Sequence, residues 1–468
     1  MVTVQLPLYN ERNVAPRLIA AVAALDWPRD KLDIQVIDDS TDGTEEAAGR
    51  AVANARASGA RIDWIHRSQR TGFKAGALAE GLARARGEFI AIFDADFVPA
   101  PSFLRSLIGE FSNAEVGMVQ ARWGHLNATQ SALCAAQACC LDAHFRVEHL
   151  GRNRGGLWFN FNGTAGIWRR AAIHAGGGWS GDTLTEDLDL SYRAQLAGWR
   201  FVFRDDVVVP AELPASMAAF LVQQRRWAVG TLQTCFKLGG RILRAHAPLR
   251  VRAEALHHLT ANLAWPGSLV AAALLPFVVA GDALGGGLGA RLVAPCFGLI
   301  VAAAVAFLAA PALLPAAEGE RRARLLAIPL AVLLTLGLAW AQTAAVVDAL
   351  RGRGGPFVRT PKEGDRTERS TAPNADGGRW PVEASVAAGQ CLGLGFALGH
   401  ERFLAAACML ALGGAYGWVA AARRGSLPKG SDTRRAEDGA TLSAGDRVAS
   451  IPQASNGAGS RQPVTTSR

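Results

Sequence analysis

Long apolar stretches in the second half of the chain constrain its fold more than any other feature. A helix needs about 20 consecutive apolar residues to cross a lipid bilayer. Three runs approach or exceed this length, and a shorter pair follows: His257–Gly281, Leu292–Ala316 and Leu325–Leu350, then Val386–Gly399 and Phe403–Ala422. Up to about Lys237, the sequence instead alternates apolar runs with charges, glycines and prolines, as a soluble α/β domain does. The sequence therefore predicts a membrane protein with a large soluble head.

The 468-residue chain has a formal net charge of +9, and the location of this charge indicates a membrane rather than nucleic acid. Arginines cluster at the edges of the apolar runs: Arg241, Arg244, Arg250 and Arg252, Arg321, Arg322 and Arg324, Arg351 and Arg353, Arg423 and Arg424. This positive-inside pattern predicts a cytosolic head and contacts with anionic lipid headgroups. No motif typical of nucleic-acid binding accompanies the charge, so we expect no nucleic-acid partner.

Short apolar strands alternate with helical stretches in the head. The predicted strands are Val2–Leu6, Ile34–Ile37, Ile62–His66 and Glu88–Phe93, and the predicted helices are Asn13–Ala24, Thr44–Ala57 and Lys74–Arg86. This alternation predicts a doubly wound, mostly parallel sheet with helices on both faces. Ligands bind beyond the carboxyl ends of the strands in such sheets, and two acidic clusters follow strand ends there. Their positions indicate a nucleotide site.

One of these clusters is Asp94-Ala95-Asp96, at the end of the fourth strand. Aspartate is common in turns, so one interpretation of the pair is structural. The other is a clamp for Mg²⁺ or Mn²⁺, because two carboxylates at i and i+2 bring hard oxygens to one ion, whose other ligands are waters and diphosphate oxygens. Since the strand ends at Ile37 and Phe93 make the two acidic clusters neighbours, we favour the metal clamp.

The other candidate nucleotide ligands are Asp38, Asp39, Tyr9 and Lys74. The segment Asp38-Asp39-Ser40 fits either an Asx turn or a carboxylate that accepts hydrogen bonds from a base or ribose. Tyr9, at the exit of the first strand, is placed to flank that base. Lys74 lies near a helix start after a glycine, where a cation and free amides suit a phosphate. A solvated surface lysine is the alternative for Lys74.

Seven motifs in a fixed order carry a resemblance to a known family: QLPLYNE, DDSTDGT, RTGFKAGAL, FDADF, FNGTAGIWRR, LTEDLDLSYRAQLAGW and QQRRWAVGTLQ. The chain resembles family 2 glycosyltransferases of the cellulose-synthase type, in particular the cellulose-synthase-like mannan and glucomannan synthases and their bacterial relatives. The resemblance covers Val2 to Lys362 and implies a GT-A-like catalytic fold. In addition, PFVRTPK (Pro356–Lys362) resembles the gating loop that closes over the nucleotide sugar in these synthases.

The resemblance implies a role for each matching residue on the donor side. Asp39, with Asp38 beside it, corresponds to the acid that contacts the nucleotide. Asp94 and Asp96 correspond to the DxD motif that holds the sugar diphosphate and the metal. In the QxxRW motif, Gln223 and Arg226 are expected near the diphosphate and Trp227 against the acceptor sugar. Packing at the junction between head and membrane is the alternative for Trp227.

The resemblance makes Asp187 the general base, with Glu186 and Asp189 as orienting or capping groups. Helix capping is the competing explanation, because Thr185 is a good N-cap and acids in a first turn complement the helix dipole. The helix itself is predicted by an apolar stripe followed by Gly198: Leu188, Tyr192 and Leu196. At a helix N-terminus we expect Asp187 to have a lowered pKa and to stay ionised, ready to accept a proton.

The resemblance implies an inverting hexosyltransferase. It implies a nucleotide-sugar donor, GDP-mannose or UDP-glucose, and as acceptor a growing β-glycan chain that such an enzyme is expected to extend processively and export. The alternative is non-processive transfer of one sugar to a lipid acceptor. A catalytically inactive membrane scaffold is disfavoured because both acidic clusters, the TED sequence and the QxxRW motif are intact.

Six segments follow from this assignment. They are a cytosolic catalytic domain (1–240), a basic interfacial helix (241–256), a transmembrane region (257–350), a gating-type loop (351–382), a transmembrane hairpin (383–422) and a disordered tail (423–468). A full crossing by Leu325–Leu350 would place the gating-type loop outside the cell. We therefore expect this run, interrupted by Pro329 and Gly337, to be re-entrant or partly interfacial, unless another segment fails to cross.

The chain begins directly on its first strand, whereas members of this family usually carry one or two membrane helices before it. We expect the strand Val2–Leu6 to lie in the interior of the sheet, since it carries Tyr9. A terminal strand has little upstream structure to hold it, so the natural reading frame is expected to extend upstream and to encode an apolar stretch of about 20 residues.

Overall fold

A seven-stranded sheet organises the first half of the chain in a computed structural model that describes residues 1–281, 289–314, 318–355, 360, 362 and 380–425. The strands are β1 (Val2–Leu8), β2 (Leu32–Asp38), β3 (Ile62–His66), β4 (Phe89–Ile92), β5 (Val116–His125), β6 (Gly166–Arg169) and β7 (Arg200–Ala211). Their order is β3-β2-β1-β4-β6-β5-β7. Only β6 runs antiparallel to its neighbours β4 and β5 among these strands, so the predicted mostly parallel sheet is confirmed.

Helices cover both faces of this sheet. They are α1 (Ala15–Ala23), α2 (Thr44–Ala57), α3 (Phe73–Arg84), α4 (Phe103–Ile108), α5 (Ala132–Ala143), α6 (Leu150–Arg154), α7 (Arg170–Ala175), α8 (Glu186–Leu196) and α9 (Met217–Leu243). A π-helical segment, His144–His149, joins α5 to α6. Helices α1, α2 and α4 pack on one face of the sheet, and α3, α7 and α8 pack on the other. The sheet is therefore doubly wound, as the alternating pattern predicts.

The strand β1 lies in the interior of the sheet, between β2 and β4, and all seven of its residues are buried. Its mostly apolar sequence is typical of a parallel strand covered on both faces. The buried polar side chain of Gln5 is paired, since its Nε2 donates to Oε1 of Gln35 at 3.0 Å. The expected interior position of this strand is confirmed. It also separates β2 from β4, so the two acidic clusters flank β1 rather than end adjacent strands.

Beyond the head, the residues that the structure describes form seven further helices: α10 (Leu249–Thr260), α11 (Ala264–Gly281), α12 (Gly289–Ala309), α13 (Glu318–Gly337), α14 (Ala339–Leu350), α15 (Trp380–Gly399) and α16 (Phe403–Gly425). By length and composition, three described helices are candidate membrane spans: Leu249–Gly281, Pro381–Gly399 and Phe403–Arg424. The described apolar helix Gly298–Leu313 is shorter than these three. The described part of the chain after Leu249 is thus mostly apolar helix.

Helices α13 and α14 form a bent pair, Arg321–Gly337 and Ala339–Leu350, with an angle of 43° at the break. The break confirms the expected interruption at Gly337. A Cβ there would lie 2.7 Å from the carbonyl oxygen of Ala415 on α16, so the close approach of the two helices requires glycine. The helix continues through Pro329, where an interruption was also expected.

Both ends of the bent pair contact the head. Near its start, Nε of Arg324 lies 2.8 Å from Oδ2 of Asp142 in α5. Near its end, Nη2 of Arg225 in α9 lies 3.0 Å from Oδ2 of Asp348. The pair therefore runs along the head from α5 to α9. The predicted tail beyond Gly425, and all of the predicted gating-type loop Pro356–Lys362 except Thr360 and Lys362, lie outside the described residues.

Candidate active site

A cleft opens at the carboxyl ends of β1, β2 and β4. It is lined by all the predicted site residues except Asp38: Tyr9, Asp39, Lys74, Asp94, Asp96, Glu186, Asp187, Gln223, Arg226 and Trp227. Strand order explains why they meet. The direction of the crossover connections changes between β1 and β4, and such a switch point leaves a crevice at the sheet edge. Residues separated by more than 200 positions in the sequence thus share one cavity.

Asp38 is the exception, and its side chain belongs to a turn. It is fully buried, Oδ1 accepts a hydrogen bond from the backbone N–H of Ser40 at 3.0 Å, and Oδ2 accepts one from Nε1 of Trp64 at 3.3 Å. Asp38 is absent from the described lining of the cleft. Of the two interpretations of this segment, the Asx turn therefore fits Asp38 in this structure, and its role as a nucleotide contact stays a prediction.

Asp39 is only 4% exposed, yet it lines the cleft. Two arginines flank its carboxylate, with Nε of Arg67 3.4 Å from Oδ1 and Nε of Arg70 3.9 Å from Oδ2. Oδ1 accepts no hydrogen bond from any residue that the structure describes. Burial raises the pKa of Asp39 to about 6, because the loss of hydration outweighs the attraction of Arg67 and Arg70. Oδ1 is therefore a buried acceptor whose nearest described cation is the guanidinium of Arg67.

Tyr9 shares the cleft with an arginine that the sequence-based predictions missed. The guanidinium carbon of Arg70 lies 3.3 Å from the centre of the Tyr9 ring, a cation–π contact. The available signal was the position of Arg70, two residues before Gly72 in a motif that already contained Lys74. Gly72 has a left-handed backbone conformation (φ +74°) and is the N-cap residue of α3, the helix that carries Lys74.

Lys74 is 17% exposed, so the interpretation as a solvated surface lysine is wrong. Its Nζ lies 2.5 Å from Oδ1 of Asp94 and 3.8 Å from Oε1 of Glu186, and it donates to the carbonyl oxygen of Gly163 at 3.0 Å. Burial alone would lower the pKa of Lys74, but Asp94 and Glu186 more than compensate and raise it. The ammonium group therefore stays charged between the two acids.

The two carboxylates of the DxD motif each face a lysine. Oδ2 of Asp96 lies 2.7 Å from Nζ of Lys362, and Asp94 contacts Lys74. Both carboxylates line the cleft, and each contacts an ammonium group of the chain. Within the described part of the chain, no group of three His, Cys, Asp or Glu side chains converges on a metal site. Two carboxylates nevertheless fit Mg²⁺ or Mn²⁺, which commonly take their other ligands from water and phosphate.

Asp187 lies in the first turn of α8 at the base of the cleft. One carboxylate oxygen accepts a hydrogen bond from the N–H of Leu188 at 2.8 Å. The other faces Gly163 so closely that a Cβ at this glycine (φ +83°) would lie 2.8 Å from it. Gly163, in the FNGT motif, is a second residue that the site predictions omitted.

The pKa of Asp187 is raised to about 7, so the predicted lowering is wrong. Burial is the main cause, and repulsion from Glu186 adds to it. Lys74, the N–H of Leu188 and Arg226 oppose the shift without cancelling it. The expected cap is also corrected: Thr185 occupies the N-cap position, but its side chain makes no capping hydrogen bond.

Other contacts on α8 hold the helix in place rather than line the cleft. Asp189 is fully buried and pairs with Arg193 at 2.7 Å and with Lys237 of α9 at 2.9 Å. The hydroxyl of Tyr192 bonds to Nδ1 of His258 on α10 at 2.8 Å. The predicted stripe is confirmed, with Leu188 and Tyr192 buried and Leu196 partly buried against the same cluster. Helices α9 and α10 therefore set the position of Asp187.

The QxxRW residues lie on one side of α9, because positions i, i+3 and i+4 of a helix share a face. Gln223, Arg226 and Trp227 are half-buried and line the cleft, and Arg226 is close enough to Asp187 to lower its pKa in part. The intervening Arg225 points elsewhere and pairs with Asp348. Trp227 is thus accessible from the cleft.

Comparison with known proteins agrees with this arrangement. Residues 1–230 match the family described as glycosyltransferase like family 2. The chain is 46% identical over 235 residues to a protein of Oryza sativa subsp. japonica named probable glucomannan 4-beta-mannosyltransferase 7, which covers 49% of this chain and 40% of the relative. It is 44% identical over 249 residues to glucomannan 4-beta-mannosyltransferase 2 of Arabidopsis thaliana, which covers 52% of this chain and 47% of the relative. The chain therefore spans less than half the length of these two curated relatives.

A solved structure shares the fold. It is the mannosyltransferase PcManGT from Pyrobaculum calidifontis in complex with GDP-Man and Mn²⁺, which superposes with a TM-score of 0.50 at 23% identity. The superposition covers 75% of this chain and 87% of that one. The mixed parallel sheet and its GT-A-like arrangement are therefore shared with a known glycosyltransferase.

Proposed function

We propose, from the match of residues 1–230 to the family described as glycosyltransferase like family 2, that the chain is a membrane-bound β-mannosyltransferase that uses GDP-mannose to extend a 4-linked β-glycan. The main support for this proposal is that Asp94, Lys74, Arg226 and Asp187 line one cleft. The relatives named as glucomannan 4-beta-mannosyltransferases support mannose as the transferred sugar. UDP-glucose is the competing donor.

On the donor side, the diphosphate lies between cationic groups. Lys74 and Arg226 both face the cleft, and each donates hydrogen bonds to anionic oxygens without needing to lose a proton. Arg226 stabilises the negative charge that develops on the leaving diphosphate. Asp39 and Tyr9, which also line the cleft, are the residues proposed to contact the base, and Gln223 lies one turn before Arg226 on α9.

On the acceptor side, Asp187 is the general base and the reaction inverts the anomeric carbon. The carboxylate of Asp187 removes the proton from the acceptor hydroxyl. At the same time the hydroxyl oxygen bonds to the anomeric carbon of the donor sugar, and the bond from that carbon to the diphosphate breaks. The proton ends on Asp187 and GDP leaves. A pKa of about 7 suits this task, since a base works best when its pKa lies near the operating pH. Trp227 offers a ring surface on which the acceptor sugar stacks.

Asp94 and Asp96 would hold Mg²⁺ or Mn²⁺, exchanging the ammonium groups of Lys74 and Lys362 for the ion. The ion would supply charge neutralisation at the diphosphate. Binding would also release Lys362, which otherwise bonds to Asp96 and to the carbonyl oxygen of Glu212 at 2.9 Å.

We also propose processive synthesis with export, a multi-pass chain and a cytosolic head. The three candidate spans and the arginines at their edges support this arrangement. The bent pair supports the partly interfacial alternative, because both of its ends contact the head through Arg324 and Asp348. In such a topology Lys362 stays on the side of the membrane where Asp96 lies, as their contact requires.

The test is transfer by the full chain in native membranes or detergent, with radiolabelled GDP-mannose and UDP-glucose in parallel and a β-1,4-mannooligosaccharide as acceptor. The expected product is a long, aqueous-phase polymer that contains mannose and is cut by β-mannanase. Label found only in an organic extract would instead establish single transfer to a lipid. Incorporation of glucose without mannose would overturn the proposed donor.

A further inference from the structure

We propose that His125 forms a hydrogen bond with the acceptor glycan and that Asp142 and Arg324 hold it in position, an inference that rests on the proposed extension of a glycan. His125 is the last residue of β5 and lines the cleft. Its side chain is only 9% exposed, so its ring is mostly removed from bulk water. Buried polar groups normally have hydrogen-bond partners, and the described part of the chain supplies one for a single ring nitrogen.

The ring of His125 is held at Nε2 and leaves Nδ1 for a ligand. Nε2 lies 3.2 Å from Oδ1 of Asp142 on α5. Nδ1 makes no hydrogen bond to any residue in the described ranges, and unlike Oδ1 of Asp39 it is not a sealed interior atom. Because an ionised carboxylate only accepts hydrogen bonds, Nε2 carries the proton and the neutral ring offers Nδ1 as an acceptor. A sugar hydroxyl is a donor that suits this nitrogen.

Asp142 can orient the ring because the acid is itself fixed. It is 5% exposed, and its Oδ2 pairs with Nε of Arg324 on α13 at 2.8 Å. Burial alone would raise the pKa of Asp142, but the hydrogen bond from His125 and the attraction of Arg324 and Arg122 lower it. The carboxylate therefore stays ionised and keeps the ring proton on Nε2. A helix of the apolar second half thus determines the orientation of a ring in the cleft.

The order of the strands separates His125 from the nucleotide residues. Strands β4 and β6 lie between β1 and β5, so the end of β5 is about 14 Å from the end of β1, where Tyr9 lies. Gly163, which faces the base Asp187, comes just before β6. Along this edge of the sheet, the base therefore comes between the nucleotide residues and His125, and a ligand at His125 is on the acceptor side.

The surroundings of His125 suit an uncharged sugar. Trp123 lines the cleft two residues earlier on β5, and its ring packs edge to face against Phe97 with 5.3 Å between the ring centres. Leu141, next to Asp142, and Leu213, just beyond the strand that pairs with β5, also line the cleft. Aromatic and apolar surface with one or two placed polar groups is typical of sites for neutral ligands. A diphosphate instead needs cations.

Initial-rate kinetics of the full chain in detergent test the inference, with saturating GDP-mannose and β-1,4-mannooligosaccharides of two to six units as acceptors. A glycan long enough to reach from Trp227 to His125 gains a hydrogen bond that the disaccharide lacks. We expect the wild-type acceptor KM to fall about threefold to tenfold between the shortest and the longest acceptor, as one neutral hydrogen bond implies. This measurement needs no variant. A KM that does not change with acceptor length would overturn the proposal.

The variant His125→Gln isolates the contact from the fold. A glutamine amide reaches the position of Nε2 and keeps a donor for Asp142, but it places nothing at the position of Nδ1. The KM of the longer acceptors should rise about threefold to tenfold, while the KM of the disaccharide, the KM of GDP-mannose and the melting temperature stay unchanged. His174→Gln, at an exposed position of α7, is the matched control. Wild-type KM values for the longer acceptors, or a raised KM for GDP-mannose alone, would overturn the contact.

The variants Asp142→Asn and Arg324→Gln test the two positioning residues. Each should raise the KM of the longer acceptors with little change in kcat, because each acts through the orientation of the ring. Asp142→Asn added to His125→Gln should raise this KM no further, since residues that act through one contact are not additive. A lower melting temperature without any change in KM would reduce both residues to a structural role and overturn the positioning.

The outcomes also separate this inference from the proposed function. Mannose transfer from GDP-mannose, with the length dependence of wild type retained in His125→Gln, would overturn the role of His125 alone. Glucose transfer from UDP-glucose would overturn the proposed donor, and the same comparison with β-1,4-gluco-oligosaccharides would then decide the role of His125. Label found only in lipid, with no oligosaccharide extended, would overturn both.

Discussion

Nζ of Lys74 lies 2.5 Å from Oδ1 of Asp94, so the first carboxylate of the DxD motif is already paired with a cation of the chain. Asp96 is paired in the same way with Lys362. A divalent ion must therefore displace two ammonium groups or share the carboxylates with them. The metal site and the two lysines are coupled, and several predictions depend on this coupling.

Replacement of Asp96 by alanine is expected to abolish the dependence of transfer on Mg²⁺ or Mn²⁺ and to weaken nucleotide-sugar affinity. The substitution removes one of two oxygen ligands and also frees Lys362. Titration of metal into assays of wild type and Asp96→Ala measures the dependence, with the exposed Asp26→Ala as control. Full wild-type activity in excess EDTA would show that Asp94 and Asp96 form a turn and nothing more.

Asp187→Asn is expected to abolish sugar transfer while nucleotide binding stays nearly intact. The amide keeps the size of the side chain but cannot accept a proton from the acceptor hydroxyl. Removal of a general base typically costs about 10²–10⁴-fold in rate. Calorimetric binding of GDP and turnover of the same preparation check both parts. Turnover within about tenfold of wild type would exclude Asp187 as the base.

The same substitution should raise the melting temperature. The folded-state pKa of Asp187 is raised to about 7, above the ordinary value of 3.8, so the folded protein favours the protonated carboxyl. The folded state is therefore penalised for the charge at pH 8, and the penalty is relieved as the pH falls through 7 toward 3.8. Asparagine removes it at every pH. Thermal unfolding at pH 8 should show Asp187→Asn more stable than wild type, and the difference should shrink at pH 5.

Transfer by wild type should fall on the acid side of neutrality for the same reason. The base form of Asp187 is the ionised one, and it is lost as the pH drops below about 7. Bound metal and diphosphate change the local charge, so the profile of kcat against pH is measured with both present. A rate that is flat from pH 5 to pH 8 would contradict a titrating base in this range.

Gly163→Ala should impair turnover through crowding of the base. A Cβ at this position would lie 2.8 Å from Oδ2 of Asp187 and 3.3 Å from Nζ of Lys74, and the backbone has a φ of +83° that only glycine adopts without strain. We expect kcat to fall at least about tenfold, since displacements near 1 Å reduce rates by about 10²-fold. Gly151→Ala, with nothing within 4 Å, is the matched control and should keep wild-type activity.

Arg324→Ala is expected to destabilise the chain by about 1–3 kcal/mol, because it removes a charged partner from the buried Asp142. His125 remains 3.2 Å from Asp142 and keeps one of its hydrogen bonds. Arg322→Ala, at an exposed position of the same helix, is the control. Equal unfolding midpoints for the two variants would show that the contact between α5 and α13 contributes nothing measurable.

Local patterns predicted much of the sheet. The bounds of α2 and β3 agree with the sequence-based prediction at both ends. The strands β1 and β2 are a few residues longer than predicted, and β4 is slightly shorter. These elements have clear apolar runs bounded by turn residues. The antiparallel β6 has only four residues, and its pairing with β4 and β5 depends on contacts between segments about 50 to 80 positions apart. Local patterns carry no such information.

The chemistry of the site was predicted in part. Motif order brought together the residues that line the cleft, but the sign of the pKa shift of Asp187 depends on burial and on Glu186, which only the packed structure defines. Arg70 lies in the motif that contains Lys74, but its contact with Tyr9 joins two segments about 60 residues apart, which the motif alone does not reveal. Asp38 and Asp39 are adjacent in sequence, and only the fold distinguishes the turn residue from the cleft residue.

The bent pair that runs along the head has a practical consequence for preparing this protein. Apolar side chains of α5 and α9 are buried against α13 and α14, among them Leu133, Phe220 and Leu232. A protein truncated after α9 would expose these faces to water as a continuous apolar surface. Such a fragment should aggregate when expressed without detergent, although it contains most of the catalytic residues. Biochemical work on the catalytic chemistry therefore needs the apolar helices as part of the sample.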